Sequence, residues 1–257
     1  MLKFTVTEIK HLIVGILILG FVFGFNDGRE SFVLNYWLLN LLRFVILAAI
    51  VILVHVAGHK IMAAKYNIFA VFQIWGLKRY WLTKSQRFPI HIHMGLKTFT
   101  IQNFYIGPLA ALLIAIFSNG KLFFVPLESY LIRTDKLKRI GYEFTTVTHY
   151  ENAKIAFFGI FASVFASLIL QIFNSSGIFD KLIFMNLVFA MYCVLPLPHL
   201  DGIKIFAGSK PLYVFSFSLA LFSLLFLQSL SPVYSLALIV LASALAVMAY
   251  IYLGVYK

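Results

Sequence analysis

A succession of long apolar segments constrains the fold of this chain more than any other feature of its sequence. These segments occur at 11–25, 37–64, 104–118, 153–174, 182–197, 211–229 and 233–253. A membrane-spanning helix needs roughly 20 consecutive apolar residues, and no linker rich in Ser, Gly or charge divides the chain. The sequence therefore predicts an all-α polytopic membrane protein that forms one domain over 1–257. We expect six or seven transmembrane helices, because 104–118 is short enough to be a tilted or re-entrant element.

The charge distribution indicates the partners and the topology. The chain carries 21 Lys and Arg against 9 Asp and Glu, which gives a formal net charge of +12. The basic residues are not clustered around a motif for binding nucleic acid. The positive-inside rule and attraction to anionic lipid account for them. We therefore expect membrane lipid, and no nucleic acid, among the partners. We also expect an integral protein of the cell membrane with a cytoplasmic N-terminus.

The stretch 65–103 differs in character from the apolar segments on either side of it. It contains several basic residues and no acidic one, and alternating runs occur at 90–94 and 98–101. Alternation of apolar and polar side chains with a period of two is typical of β-strands. The sequence predicts a small β-strand insertion here, at the cytoplasmic interface. A second polar stretch, 119–152, has mixed charge and is predicted to be a solvated loop with short strands or turns.

Two histidines stand four residues apart inside the second apolar segment, in the order His55-Val56-Ala57-Gly58-His59. On a helix, positions i and i+4 share a face, so both imidazoles can reach one metal ion. Burying two imidazoles in hydrocarbon is costly, and polar residues within spans usually serve a function. The spacing therefore indicates a pair of metal ligands, with a structural hydrogen-bonded arrangement as the alternative.

A third candidate ligand is Asp201, which follows two prolines, Pro196 and Pro198, in the fifth apolar segment. Prolines within a span free backbone groups that protein or water must satisfy, and broken spans tend to line cavities. Three protein ligands, with a fourth position left for water, are the usual plan of a catalytic zinc site. We therefore predict one zinc ion held by His55, His59 and Asp201.

Three other histidines and one cysteine stand near these elements. His91 and His93 are expected on the same side of a strand, and His199 lies two residues before Asp201. On sequence grounds each is a further ligand, a proton shuttle or an ordinary interfacial histidine. Cys193 is the only cysteine, which excludes an intramolecular disulfide and is taken to rule out a Cys-based zinc site.

The order and spacing of three elements resemble those of the site-2 protease family of intramembrane zinc metalloproteases (peptidase family M50), most of all its short archaeal members. That family carries H-E-x-x-H on one span, E-x-x-K-I-A-x-x-G-P-x-x-N on another, and N-x-x-P-x-P-x-x-D-G on a third. The corresponding segments here are 55–59, 151–163 and 193–202, and the likeness extends over about 37–210. The resemblance implies a zinc peptidase fold with the same three metal ligands that the spacing indicates.

The departures from the family pattern fall on residues with chemical roles. Val56 stands where the family has its general-base glutamate. Ile160, Ser163 and Cys193 replace one proline and two asparagines. Loss of general-base catalysis alone costs on the order of 10²–10⁴ in rate. The sequence therefore predicts a catalytically impaired homologue that binds membrane segments of client proteins. The alternative is an active intramembrane zinc endopeptidase with a substitute base, for which His199 is the candidate.

Two other classes of protein share some of these features. Histidine pairs occur in di-iron membrane oxygenases, but that class needs more histidines than the seven of this chain. Broken spans occur in transporters, but no inverted repeat is visible in the sequence. Transmembrane segments of client or substrate proteins are therefore the expected partners.

Overall fold

The computed structural model describes residues 4–76, 90–94, 97–101, 104–133 and 147–255, and these residues are mostly helical. The helices are α1 Val6–Gly24, α2 Leu34–Lys65, α3 Ile106–Phe117, α4 His149–Ile172, α5 Asp180–Cys193, α6 Asp201–Gly208, α7 Lys210–Phe226 and α8 Pro232–Val255. Every apolar segment identified in the sequence coincides with one of these helices. The predominantly helical fold is therefore confirmed, and α6 adds a short helix directly after the double proline.

Four helices, α1, α2, α4 and α8, are long and apolar enough to cross a membrane among the described residues. The helices α3 and α7 are also apolar but have only 12 and 17 residues, and α5 has 14. A helix perpendicular to the bilayer needs roughly 20 residues to cross the hydrocarbon core. The described part of the chain therefore has four candidate spans, and a total of six or seven stays a prediction that requires some of the shorter helices to cross as well.

Two small antiparallel sheets accompany the helices. The strands are β1 Phe69–Ile74, β2 Ile90–Met94, β3 Lys97–Ile101 and β4 Glu128–Arg133. The β2–β3 hairpin pairs Ile90 with Ile101, which confirms the strands predicted from the alternating sequence. In the other sheet, β1 pairs with β4 across a large sequence separation, from Phe69 opposite Arg133 to Ile74 opposite Glu128. The basic stretch 77–89 and the charged stretch 134–146, for which interfacial and loop structure were expected, lie outside the described residues.

Glycines allow α1, α2 and α4 to pack closely. A Cβ at Gly58 of α2 would overlap the carbonyl oxygen of Phe158 and would lie 2.7 Å from the Cβ of Ala162. A Cβ at Gly20 of α1 would lie 2.6 Å from the Cα of Val45. Small residues at such crossings let helix backbones approach within a membrane protein. One face of α2 therefore packs directly against α4.

A buried ion pair joins α1, α2 and β1. The Nζ atom of Lys60 lies 2.7 Å from Oε1 of Glu8, and neither side chain is more than 6% exposed. Glu8 also accepts a hydrogen bond of 2.9 Å from the backbone N–H of Phe72, while Lys60 donates one of 3.1 Å to the carbonyl oxygen of Ala70. Because Lys60 directly follows His59, this network holds the end of α2 that carries the histidines.

Candidate metal centre

The two histidines of α2 and the aspartate of α6 meet in the interior of the protein. Nε2 of His55 lies 3.1 Å from Oδ2 of Asp201, and Nε2 of His59 lies 3.0 Å from the same oxygen. All three residues are at most 1% exposed. The structure thus brings together the three candidate ligands identified in the sequence, although His55 and Asp201 are 146 positions apart.

The local sequence explains this placement. The helix α2 is continuous through both histidines, so they lie on one face a turn apart. The helix α5 ends at Cys193 and α6 begins at Asp201, because the two prolines stand between them. A Cβ at Gly202 would overlap the carbonyl oxygens of Val194 and Leu195. The start of α6 can therefore lie against the last turn of α5 only with glycine at this position.

Each histidine has a polar partner at its outer nitrogen. Nδ1 of His59 donates a hydrogen bond of 2.7 Å to the carbonyl oxygen of Ile155. Because a carbonyl oxygen only accepts, Nδ1 carries a proton, and in the neutral imidazole the lone pair is then on Nε2, which faces the cluster. Nδ1 of His55 lies 3.0 Å from the hydroxyl oxygen of Ser163. Metal-ligating histidines are commonly oriented by such contacts.

Gly159 of α4 leaves room for both imidazole rings. A Cβ at this position would overlap Cε1 and Nε2 of His59 and would lie 2.8 Å from Nε2 of His55. Any larger residue would therefore displace the inner nitrogens of the two histidines. Gly159 is also the glycine of the segment 151–163 that resembles the family pattern.

The donor set fits a zinc ion. Nε2 of His59 has no hydrogen-bond partner among the described residues, although Oδ2 of Asp201 is only 3.0 Å away. Nε2 of His55, by contrast, makes a hydrogen bond of 3.1 Å with the same oxygen. For tetrahedral zinc with nitrogen and oxygen ligands at 2.0–2.2 Å, the ligand atoms lie about 3.3–3.6 Å apart, so the three side chains would separate slightly from their present 3.0 and 3.1 Å to hold the ion. Two imidazoles and one carboxylate also leave one position for water, as in catalytic zinc sites.

A fourth polar side chain, Glu128 at the start of β4, enters the same cluster. Its Oε2 lies 3.5 Å from Nε2 of His55, and its Oε1 lies 3.3 Å from Nε2 of His59. Glu128 is only 1% exposed, and neither carboxylate oxygen has a hydrogen-bond partner among the described residues. The cluster therefore contains a second carboxylate, which faces both candidate zinc-binding nitrogens.

Glu128 is the functional candidate that the sequence analysis misses. The short strand β4 agrees with the prediction of a loop with short strands over 119–152, but its solvated character is wrong at the start of β4, where Glu128, Ser129 and Tyr130 are all buried. The signal in the sequence is a single acid that follows the apolar run 122–127 and precedes another apolar run. A buried carboxylate needs a charged or hydrogen-bonding partner, so an isolated acid in such a context is a candidate site residue.

Tyr130 and Lys204 cover the cluster beside β4. The ring centroid of Tyr130 is 4.6 Å from that of His59, and Nζ of Lys204 lies 3.4 Å from the Tyr130 ring centroid. Nζ of Lys204 also lies 3.3 Å from Oδ1 of Asp201. Burial, and then the charges of Asp201 and Glu128, raise the pKa of Tyr130 well above its ordinary value. The hydroxyl of Tyr130 therefore stays protonated.

His199, the candidate substitute base, lies outside the cluster. Its side chain is exposed, and its carbonyl oxygen accepts a hydrogen bond of 2.8 Å from the hydroxyl of Ser129. With Tyr130 and Lys204 it lines a small cavity of about 60 Å³. Among the described residues, the two sets of candidate ligands with atoms within 4.8 Å of one another do not include His199.

Cys193 lies nearer to the cluster than the sequence implies. Its sulfur, a ring nitrogen of His55 and a carboxylate oxygen of Glu128 all lie within 4.8 Å of one another. A single cysteine close to a ligand histidine means that sulfur ligation has to be tested rather than dismissed by counting cysteines. The side chains of His91 and His93 lie outside the described residues, although their backbones form part of β2.

Comparison of the chain with models of protein families, with curated proteins and with solved structures finds no match in any of the three. The residues of the site and their geometry therefore carry the functional conclusion.

Proposed function

We propose that this chain is a site-2-protease-like zinc metallopeptidase of the membrane, and that it acts on membrane-spanning segments of other proteins. The observation that carries this proposal is the buried convergence of His55, His59 and Asp201, with the inner nitrogen of His59 left without a hydrogen-bond partner among the described residues. The resemblance of three sequence elements to the family supports the same function independently of these distances.

Each residue of the site has a distinct role in the proposed function. His55, His59 and Asp201 would hold the zinc ion. When bound, zinc supplies a Lewis acid that polarises a peptide carbonyl and lowers the pKa of water to about 7. The carbonyl oxygen of Ile155 keeps Nε2 of His59 turned inward, and Lys204 holds Asp201 through Oδ1. The cavity beside Lys204, about 60 Å³ in volume, has room for water next to the cluster.

The position of the histidines on α2 indicates the depth of the site. The helix continues for six residues beyond His59, to Lys65, which is about 9 Å along its axis. If the basic stretch that follows faces the cytoplasm, as the positive-inside rule predicts, the site lies within the membrane near its cytoplasmic face. We propose an integral cell-membrane protein with a cytoplasmic N-terminus and anionic lipid around its basic residues.

A second candidate function is that of a pseudoprotease, which binds membrane segments without cutting them. The observation that favours it is Val56, which occupies the position of the family's general base, is 2% exposed and carries no group that transfers a proton. The two candidates share the metal site and the partner class. They differ in whether another residue performs the proton transfer.

Metal analysis combined with substrate capture tests the proposed function. We expect the chain purified in detergent to retain one zinc ion per molecule. In proteoliposomes it should cross-link to single-span membrane proteins. Removal of zinc by a chelator should weaken this capture, and added zinc should restore it. A chain that retains no zinc at micromolar free metal, or that captures a soluble unfolded peptide equally well, would contradict the proposal.

A further inference from the structure

We propose that Glu128 is the proton-transfer residue of this site, so that the chain is an active peptidase despite Val56. The inference rests on the proposed function and deepens it, because it supplies the catalytic group that the H-x-x-x-H segment lacks. In this assignment Glu128, which lies on β4, takes the role of substitute base for which His199 was the candidate. Glu128 would touch the reacting water and is therefore a catalytic residue rather than a positioning one.

The position of the Glu128 carboxylate is the first argument. Its two oxygens face the two histidines separately, at 3.5 Å from Nε2 of His55 and 3.3 Å from Nε2 of His59. A general base must lie within hydrogen-bond reach of the proton that it removes. In this position the Glu128 carboxylate could accept a proton from a water held in the cluster.

The lack of competing partners is the second argument. Both oxygens of Glu128 are buried without a hydrogen-bond partner among the described residues. A buried carboxylate in this condition is strongly unfavourable unless a cation or a donor occupies the site. Apart from the histidine nitrogens at 3.3 and 3.5 Å, the Glu128 carboxylate has no contact among the described residues that competes with a water or metal in the cluster.

The third argument compares the contacts of the Glu128 carboxylate with those of Asp201, the proposed metal ligand. Ligating carboxylates are usually held in place by hydrogen bonds to the oxygen that does not bind the metal. Asp201 has such a contact, because Nζ of Lys204 lies 3.3 Å from its Oδ1 while its Oδ2 faces both histidines. Glu128 has no equivalent contact among the described residues. Asp201 therefore fits the role of a fixed ligand, whereas no contact of this kind fixes the Glu128 carboxylate.

The structure also explains how a residue distant in sequence replaces the missing glutamate. Pairing with β1 places the first residue of β4 opposite Ile74, and Tyr130, two residues further on, packs its ring against His59. Residues i and i+2 of a strand share a face. The contact of Tyr130 therefore directs the side chain of Glu128 toward the same histidine.

The proposed step balances in protons and bonds. A Glu128 carboxylate oxygen takes one proton from water as the water oxygen forms a bond to the carbonyl carbon of the peptide. Glu128 then gives this proton to the amide nitrogen as the carbon–nitrogen bond breaks. The products are a carboxylic acid and an amine, and the Glu128 carboxylate is regenerated. No oxidant, reductant or further co-reactant is needed.

The test compares two variants: Glu128→Gln, which removes the carboxylate, and Val56→Glu/Glu128→Gln, which moves it to position 56. Glutamine keeps the size of the side chain but cannot accept the proton. We expect Glu128→Gln to retain one zinc per chain and to capture the same single-span proteins in proteoliposomes, while its cleavage rate falls on the order of 10²–10⁴-fold. The double variant Val56→Glu/Glu128→Gln should regain part of the lost rate. Glu30→Gln, in an exposed loop, is the matched control and should behave as the unaltered chain.

Three outcomes would overturn the assignment. Unchanged cleavage by Glu128→Gln would exclude Glu128 as the base. Loss of zinc from Glu128→Gln, to the extent seen with Asp201→Ala, would make Glu128 a fourth ligand of a closed site. Zinc binding and substrate capture without cleavage by the unaltered chain, across the whole panel of single-span proteins, would establish a pseudoprotease. Failure of zinc binding or capture in the unaltered chain would instead contradict the proposed function itself.

Discussion

Substitution of alanine for His59 is expected to abolish stable zinc binding. Nε2 of His59 lies 3.0 Å from Oδ2 of Asp201 and 3.3 Å from Oε1 of Glu128, and it has no hydrogen-bond partner among the described residues. Loss of a residue that merely orients a ligand typically costs 10–100-fold in metal affinity, so loss of a ligand should lower the affinity by more than ~100-fold. Zinc titration of the purified protein against a competing chelator measures the change.

His199→Ala is the matched control for this prediction. His199 is exposed and lies only two residues from Asp201 in sequence, but it belongs to neither set of candidate ligands among the described residues. Its replacement should change the zinc affinity by less than about threefold, because His199 neither contributes a ligand atom nor orients a ligand. Equal loss of zinc from the His59 and His199 variants would contradict the proposed set of ligands. Loss of zinc only from the His199 variant would show that His199, and not His59, is a ligand.

Substitution of Glu8 by alanine is expected to cause the largest loss of stability. Removal of one partner from a buried ion pair typically costs about 3–5 kcal/mol, because the other charge stays buried without compensation. Here the ammonium of Lys60 would lose its carboxylate partner, and the backbone N–H of Phe72 would lose its acceptor. We expect a reduction of this size in the free energy of unfolding, measured by denaturant titration in detergent.

The exposed acid Glu30 provides the comparison for Glu8. Glu30→Ala should change the free energy of unfolding by no more than about 0.5 kcal/mol, as is usual for exposed positions. A double variant, Glu8→Ala with Lys60→Met, should lose less stability than the sum of the two single changes, since it leaves no charge unpaired. A Glu8→Ala variant as stable as the unaltered chain would show that the pair does not hold α1 to α2.

Much of the helical fold is predictable because apolar composition is a local property. The capping box formed by Thr148 and Glu151 explains why α4 begins at His149, a few residues before the apolar segment. The β2–β3 hairpin follows in the same way from the alternation of its residues. The double proline predicts the break between α5 and α6 because proline cannot continue a helix.

The metal ligands are predictable in part, for two different physical reasons. The i, i+4 spacing of His55 and His59 implies a shared helix face, and this relation is local. Asp201 is recognised because a carboxylate in an apolar segment needs a partner, and because the surrounding segment resembles the family pattern. Neither reason gives the distances, which depend on the close approach of α2 and α4 at Gly58 and on the space left by Gly159.

Glu128 and the ion pair of Glu8 with Lys60 are not predictable from local pattern. Glu128 reaches the histidines only because β4 pairs with β1, and strand pairing at this separation leaves no periodic signal in the sequence. Glu8 is recognisable in sequence as the N3 residue of a capping box with Thr5. Its contact with Lys60 depends on the packing of α1 against α2. Tertiary contacts of this kind decide which polar residues are buried.

The coordination shell of zinc in the unaltered protein is the most direct test of the central claim. X-ray absorption at the zinc edge distinguishes nitrogen and oxygen ligands, at about 2.0–2.2 Å, from sulfur at about 2.3 Å. We expect nitrogen and oxygen ligands only, with the scattering signature of two imidazoles that becomes one in His55→Ala. A sulfur ligand that disappears in Cys193→Ser, or a zinc site with no imidazole, would contradict a centre built from His55, His59 and Asp201.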